Sequence, residues 1–250
     1  MDTLDDSKAS TLIIVACHST YLGGESADRL SDASWVLEPF QKGEPRIFLE
    51  HAERGLELAR LEERSVLVFS GGQTKKVAGP ISEAQSYWSL CQELGLFAEG
   101  LIAERVTTEE FACDSFQNLL FSICRFREYV GCYPESIRLV SWGFKRDRFG
   151  GHRDALRWPE MQFHYEAVGE PLDVHSARLS EALLSQKFAA DPYGSTGDLF
   201  ARRASRNPFR RFFPYGESCP ELLPLLRYKG PGIFGGSLPW DPQHGSSTPA

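Results

Sequence analysis

The sequence lacks the long apolar run that a membrane-spanning helix requires. No stretch of its 250 residues approaches about 18 consecutive apolar positions, and residues 1–10 are polar and acidic, without the charged-then-apolar order of a signal peptide. The formal net charge of −7 disfavours binding to nucleic acid or to an anionic membrane. These features predict a cytoplasmic protein whose partner is a small molecule, and they leave its oligomeric state open.

Patterns for metal binding and disulfide bonding are also missing. The six cysteines form no CxxC pair and no zinc spacing, and no set of His, Asp or Glu residues has the spacing of metal ligands. We therefore expect reduced thiols, most of them small buried side chains, and no metal.

The sequence does not show three well-known motifs of nucleotide-binding or catalytic sites at positions where they could form such a site. The P-loop pattern GxxxxGK[ST] and the nucleophile elbow GxSxG are absent, and no GxGxxG follows a predicted strand. Hydrophobic residues make up 42% of the chain, which is enough for one large core.

The order of apolar segments predicts an α/β fold. Runs typical of strands buried on both faces alternate with segments of helical spacing. This order favours a three-layer Rossmann-like fold with a mostly parallel sheet of about five strands. The predicted strands are residues 11–17, 65–69, 101–103, 137–141 and 162–168, and the predicted helices between them are 46–61, 83–94, 111–130 and 147–157.

The character of the chain changes after the last predicted strand. Residues 171–240 contain one more amphipathic helix at 174–190 and then many prolines and arginines, without a strand set of their own. We predict an α/β core at 11–170, an extension at 171–240 that wraps this core, and disordered ends at 1–10 and 241–250.

Polar residues follow the predicted strands and suggest one shared cleft. Four short segments, 17–20, 70–75, 106–109 and 142–146, are polar or Gly-rich, whereas the strands before them are apolar. Parallel sheets bind ligands outside the carboxyl ends of their strands. We therefore predict a polar, anion-binding cleft at this edge.

The turn Ser70-Gly71-Gly72-Gln73 is the first candidate part of the cleft. Two glycines let backbone N–H groups approach a phosphate or carboxylate closely, and the following helix adds positive potential. The alternative is a tight turn imposed by reversal of the chain.

Carboxylates form the second group of candidates. Glu83 and Glu109 could act as a general acid or base or bind a ligand hydroxyl, although Glu83 could also serve only to complement a helix dipole. Asp114 and Asn118 are four residues apart and share a helix face, so both could bind the ligand. Their alternative roles are helix capping and a solvated position.

Histidine and basic side chains complete the predicted cleft. Lys145, Arg148 and His152 belong to a basic cluster after the fourth strand, which either binds an anion or forms a solvated charged face. His18 directly follows a buried strand and is the best general acid/base candidate among the histidines. Ser19 is its neighbour and could bind the ligand.

Several different short motifs follow one another in a fixed order between residues 11 and 230. They include VFSGG at 68–72, SEA at 82–84, the polar segment 109–118 and the strand exit at 139–148. This ordered set resembles the DUF218 family. Further motifs resemble its larger fungal-type members: CHS at 17–19, YLGG at 21–24, EPFQKG at 38–43, FKR at 144–146, RWP at 157–159, DPYG at 191–194 and NPFRR at 207–211.

The resemblance implies a Rossmann-like parallel sheet and a set of site positions. Lys145 stands where bacterial members carry histidine, and Gln117 stands where they carry glutamate, so proton chemistry at these positions could differ. The family has no known function, and the resemblance therefore names no reaction. The implied site positions are Gly71, Gly72, Glu83, Glu109, Asn118, Lys145 and Arg148.

Two functions are compatible with these residues. The first is an enzyme that acts on a small anionic or nucleotide-like molecule by acid/base chemistry, with hydrolase, transferase and lyase or cyclase all open. The second is a non-catalytic binder of a nucleotide-type ligand such as S-adenosylmethionine. The sequence makes no cofactor certain.

Protein interaction through the arginines of 202–211 is a third class of function. We expect these arginines to pair with core carboxylates or to cover the cleft. The catalytic candidates are Glu83, Glu109, His18 and Lys145.

Overall fold

The structure, a computed structural model, describes residues 9–23, 28–97, 101–230 and 232–242. The predicted disorder at 1–10 and 241–250 falls mostly outside these ranges. In the part of the chain that is described, no helix is both long enough and apolar enough to cross a bilayer.

Five strands form one sheet in which every neighbouring pair is parallel. Its order is β5-β4-β1-β6-β7, and β2 and β3 pair separately as a small antiparallel ribbon. This confirms the predicted Rossmann-like fold. The strands are β1 Thr11–Ala16, β2 Thr20–Tyr21, β3 Trp35–Val36, β4 Ser65–Ser70, β5 Val106–Glu109, β6 Ser136–Ser141 and β7 Phe163–Ala167.

Helices connect the strands and continue into the extension. Ser82 caps one helix by accepting a hydrogen bond from the N–H of Gln85, and Asp114 caps another by accepting from the N–H of Gln117. The helices are α1 Pro45–Leu61, α2 Glu83–Glu93, α3 Ser115–Val130, α4 Arg146–Ala155, α5 Val174–Ala190, α6 Gly197–Ser205, α7 Tyr215–Ser218 and α8 Leu223–Leu226.

The central strand β1 is buried on both faces of the sheet. Successive side chains of a strand point to opposite faces. Leu12 and Ile14 pack with α3 and α4, whereas Ile13 and Val15 pack with α1 and α2. The alternation places helices on both faces and produces the three layers.

The prediction of a third strand at 101–103 is wrong. Leu101–Arg105 forms a 3-10 helix, and the strand is Val106–Glu109, which pairs with β4. The β-branched residues of this segment suit a strand better than a loop. The segment predicted to follow the strand is therefore the strand itself, and Glu109 is its last residue.

The predicted start of the long helix at residue 111 is also wrong. Helix α3 begins at Ser115 because Asp114 occupies the N-cap. The backbone before it forms a loop, in which the N–H of Phe111 donates to Glu109 and the N–H of Cys113 donates to Gln117.

The extension packs on the same hydrophobic cluster as one face of the sheet. Phe188, Leu199, Tyr215 and Leu225 are buried together with side chains of β1 and α3. Its arginines also contact the core, and the expected pairing with carboxylates is present: Arg203 lies 2.7 Å from Asp114, and Arg211 lies 3.9 Å from Glu110.

Candidate functional site

The strand order reverses between β1 and β6. Strands β4 and β5 lie on one side of β1, and β6 and β7 lie on the other. Helix α1, which follows β1 and β3, and helix α4, which follows β6, pack on opposite faces of the sheet. Such a reversal leaves a crevice at the carboxyl ends of the two strands, where open α/β sheets bind ligands.

A cavity of about 530 Å³ lies at this crevice. Its volume is in the range of small-molecule sites. The residues after β1 and β6, the start of α3, and the extension all contribute to its walls. The titratable or charged side chains along these walls include His18, Glu44, Glu83, Asp114, Lys145, Arg148, Asp173, Glu181, Arg202 and Arg206.

His18 and Lys145 contact each other where β1 and β6 end. Nζ of Lys145 lies 3.2 Å from Nδ1 of His18, and Nε2 of His18 lies 3.4 Å from the hydroxyl oxygen of Ser141. A protonated lysine can only donate, so Nδ1 accepts and the proton of a neutral His18 is on Nε2. The three side chains form a short chain of hydrogen bonds.

The surrounding protein changes the charge state of this pair. Burial lowers the pKa of Lys145 to about 7, and the charge of Arg148 acts in the same direction. Burial lowers the pKa of His18 well below its ordinary value, and the charge of Lys145 lowers it further. At neutral pH His18 is uncharged, and Lys145 is close to the midpoint of its titration. A group in that state can give or take a proton efficiently.

Two buried carboxyl groups line the same cavity. Burial raises the pKa of Glu44 to about 7, against the opposing charge of Lys145. Burial also raises the pKa of Glu83, against the opposing charge of Arg206. The hydroxyl of Thr74 donates a hydrogen bond to Glu83 and fixes its orientation. Both carboxyls bind their protons more tightly than exposed glutamates do.

Arg148 forms the wall between α4 and α5. Its side chain is 7% exposed, and its Nε lies 2.9 Å from Oε1 of Glu181 on α5. The contact is an ion pair without hydrogen-bond geometry, since this Nε has no hydrogen-bond partner. A helix of the extension therefore supplies the carboxylate that balances a cation of the core.

The glycine turn after β4 does not present free N–H groups. The N–H of Gly71 donates to the carbonyl oxygen of Glu109 at 3.0 Å, and that of Gly72 donates to the carbonyl oxygen of Ala112 at 2.7 Å. A Cβ at Gly72 would lie 2.8 Å from that same oxygen of Ala112. The structure contradicts the predicted N–H site for an anion, because the glycines serve close packing of the main chain.

Glu109 lies behind the cavity wall. Its carboxyl accepts hydrogen bonds from the N–H groups of Phe111 and Ala112 at 2.7 and 3.3 Å and from the hydroxyls of Ser70 and Tyr215 at 2.8 and 3.1 Å. Burial raises its pKa to about 7, although the hydrogen bond from Phe111 opposes this. With four donors around it, the carboxyl joins the end of β5 to the extension.

Three further predicted residues make structural contacts elsewhere. The hydroxyl of Ser19 donates to the carbonyl of Val36, and the amide of Gln73 donates to the carbonyl of Pro80. His152 is 1% exposed and shares a 2.8 Å hydrogen bond with Ser115 among aromatic rings.

The thiol of Cys17 lines the cavity, but burial raises its pKa well above the ordinary value, which makes it a poor nucleophile.

The predicted residues thus divide into two groups. Six line the cavity: His18, Glu83, Asp114, Asn118, Lys145 and Arg148. Seven are not among its lining residues: Ser19, Ser70, Gly71, Gly72, Gln73, Glu109 and His152. Among the described residues, no three His, Cys, Asp or Glu side chains gather in a way that could hold a metal ion.

Several lining residues were not predicted from the sequence. Glu44 stands just before α1, and no motif marks it. Glu181 lies on α5, where it looks like an ordinary polar position of an amphipathic helix. Arg202 and Arg206 were recognised only as part of an arginine-rich segment, although their spacing of four residues would have placed both on one helix face.

One comparison with known proteins gives a relative. The chain is 30% identical to a protein of Saccharomyces cerevisiae, the uncharacterized protein YOR238W, over an alignment of 270 positions that covers 84% of this chain and 88% of the yeast protein. No family model matches the sequence, and no solved structure matches it.

Proposed function

We propose that this chain, which belongs to the family of the yeast protein YOR238W, is an enzyme that acts on a small anionic molecule by acid/base chemistry. The observation that carries the proposal is the 3.2 Å contact between Lys145 and His18 at the reversal of strand order. We also propose that this family is part of the larger DUF218 family, because the ordered short motifs of the sequence resemble those of DUF218 members.

Lys145 is the proposed proton-transfer group. With its pKa near neutrality, it can take a proton from the substrate in its uncharged form and return one in its charged form. His18 remains neutral, accepts a hydrogen bond from Lys145, and fixes the ammonium position. Hydrolysis, group transfer and elimination all use such a group, and the reaction class stays open.

Glu83 and Arg148 are the proposed groups that hold the substrate. The carboxyl of Glu83 can bind a hydroxyl of the substrate, and the guanidinium of Arg148 can bind its anionic group. Both line the cavity with Lys145, so one small molecule can reach all three. Glu109 has no part in this proposal, because its carboxyl is already occupied by four internal donors.

The proposal is tested with a panel of phosphorylated, carboxylated and adenosyl compounds. Compounds that raise the melting temperature are incubated with the protein, and their consumption is followed by mass spectrometry. We expect at least one to be consumed, and Lys145→Met to abolish consumption without lowering the melting temperature. Lys76→Met is the matched control, since Lys76 is exposed and lies outside the cavity lining. Full turnover by Lys145→Met would contradict the role of this lysine.

A non-catalytic binder of a nucleotide-type ligand such as S-adenosylmethionine is the second candidate. It is favoured by two aromatic residues, Trp142 and Phe144, which line the same cavity as Glu44 and Glu83. Rings can stack on a base, and carboxyls can accept hydrogen bonds from ribose hydroxyls. A ligand that stabilises the protein and is recovered intact would favour this candidate over the enzyme.

A further inference from the structure

Helix α6 of the extension is fixed against the core on one side and faces the cavity on the other. Arg203 donates to the carboxylate of Asp114 at 2.7 Å and to the carbonyl of Tyr193 at 2.8 Å, and Leu199 is buried in the core. These contacts set the rotation of the helix about its axis. The two arginines on the neighbouring face, Arg202 and Arg206, line the cavity.

These two arginines lack the partner that Arg203 has. Within the described ranges, no carboxylate lies within 4 Å of Arg202 or Arg206, whereas the arginine between them makes the ion pair with Asp114. Arg206 donates one N–H to the carbonyl of Cys113 at 3.2 Å. Among the described residues, the guanidinium groups of Arg202 and Arg206 make no other hydrogen bond, and both residues line the cavity.

The cavity lining holds four cationic side chains, Lys145, Arg148, Arg202 and Arg206, and five carboxyls, Glu44, Glu83, Asp114, Asp173 and Glu181. Lys145 also has no carboxylate within 4 Å in the described part of the chain, and Arg148 alone has Glu181. Burial raises the pKa of the lining residues Glu44 and Glu83, which favours their uncharged forms. Asp114 pairs with Arg203 and Glu181 pairs with Arg148, so among the described residues Arg202 and Arg206 have no direct counter-charge. This arrangement favours binding of an anion at their end of the cavity.

We propose that Arg202 and Arg206 form, with Arg148, a phosphate-binding subsite, and that the substrate is a phosphorylated small molecule. The inference rests on the proposed function in that it names the substrate class of the same cavity. A phosphate group has three terminal oxygens and up to two negative charges, so it can accept from two guanidinium forks at once, whereas a carboxylate has only two oxygens. The extension is then a necessary part of the site.

The subsite is tested by titrating the full chain with inorganic phosphate at constant ionic strength, with chloride as the reference anion, by calorimetry. We expect Arg206→Gln to weaken phosphate binding by about tenfold, the loss expected for one charge-assisted contact. Arg202→Gln should weaken binding by a few-fold, because Arg202 is exposed at the mouth of the cavity. Arg178→Gln is the matched control on an exposed position of α5 and should bind as the wild type does.

Two further measurements keep the result interpretable. Arg206→Lys retains the charge but loses the fork, and we expect it to bind phosphate with intermediate affinity; the melting temperature of each variant reports whether it folds. If the wild type does not bind phosphate, or if Arg202→Gln and Arg206→Gln both bind it as the wild type does, the subsite is overturned.

The outcome is distinguishable from that of the proposed enzymatic function. Phosphate binding that depends on Arg202 and Arg206, in a protein that consumes no compound of the panel, would support the subsite while the enzyme proposal fails. Turnover of an unphosphorylated carboxylate that depends on Lys145, without phosphate binding, would support the enzyme while the subsite fails.

Discussion

The carboxyl edge of the sheet has two halves, which both carry polar residues at the strand ends and differ in what these residues contact. In the pocket half, after β1 and β6, His18 and Lys145 face the cavity. In the closed half, directly at the ends of β4 and β5, Gly71, Gly72 and Glu109 make hydrogen bonds within these loops and to the extension. Only residues farther along these segments, such as Glu83 and Asp114, reach the cavity. Polarity at a strand end is therefore not enough to make a binding site.

The two halves also differ in what they do for stability. The closed half satisfies its buried donors and acceptors, which stabilises the loops. Glu109 of the closed half has a pKa raised by burial, but four donors surround its carboxyl. The pocket half holds the buried amine of Lys145 without a carboxylate within 4 Å among the described residues, and burial lowers its pKa to about 7. Binding sites commonly carry such unfavourable groups at some loss of stability. Substitutions should therefore lower the free energy of unfolding in the closed half and raise it in the pocket half.

The largest expected effect is on the pH dependence of stability in the closed half. The pKa of Glu109 is about 7 in the folded protein against an ordinary value of 4.5. The folded state binds this proton more tightly, so its stabilising effect is full below about pH 4.5 and is lost as the pH rises through about 7. In Glu109→Gln this loss is absent. Between pH 5 and pH 8, the free energy of unfolding of the wild type should therefore fall by about 2 kcal/mol relative to that of the variant.

Urea unfolding of both proteins at the two pH values measures this difference. Titration of Glu44 and Glu83 is common to the two proteins and cancels in the comparison. Parallel stability curves for wild type and Glu109→Gln would show that this carboxyl is not a source of the pH dependence.

The second prediction concerns the glycine turn of the closed half. Gly72→Ala should lower the free energy of unfolding by about 2 kcal/mol, because the new Cβ would lie 2.8 Å from the carbonyl oxygen of Ala112, which is backbone and cannot move cheaply. Gly150→Ala is the control, since nothing lies within 4 Å of its Cβ position in α4. There alanine should stabilise by about 0.5 kcal/mol. Equal effects of the two substitutions on thermal unfolding would refute the argument from close packing.

The smallest expected effect is in the pocket half. Lys145→Met removes a largely buried amine whose pKa is lowered by desolvation, and a methionine fills a similar volume. We expect the free energy of unfolding to rise by about 1 kcal/mol while the function of the cavity is lost. Chemical denaturation beside the Lys76→Met control measures the change. A clear loss of stability would mean that the contact with His18 serves the fold more than the site.

Some of this architecture followed directly from local sequence patterns. The apolar runs of β1 and β4 predicted strands buried on both faces, and the helix predicted from residue 83 begins there as α2, because strand burial and helix starts depend on neighbouring residues. The start of α3 was placed at residue 111 instead of 115, because capping by Asp114 was only an alternative interpretation. The strand at 101–103 was misplaced because Val106 and its β-branched neighbours follow an equally apolar segment. Only pairing with β4 separates the two possibilities.

The sequence by itself determined the fold class and the edge of the sheet at which polar groups gather, since both follow from the periodicity and order of short segments. The tertiary structure decided which half of that edge is open. The reversal of strand order between β1 and β6 opens the crevice that holds His18 and Lys145, and Tyr215 of the extension closes the side that holds Glu109. It also brought Arg202 and Arg206 to the cavity from more than 180 residues after His18. Contacts between segments so distant in the chain depend on packing, which local sequence patterns do not encode.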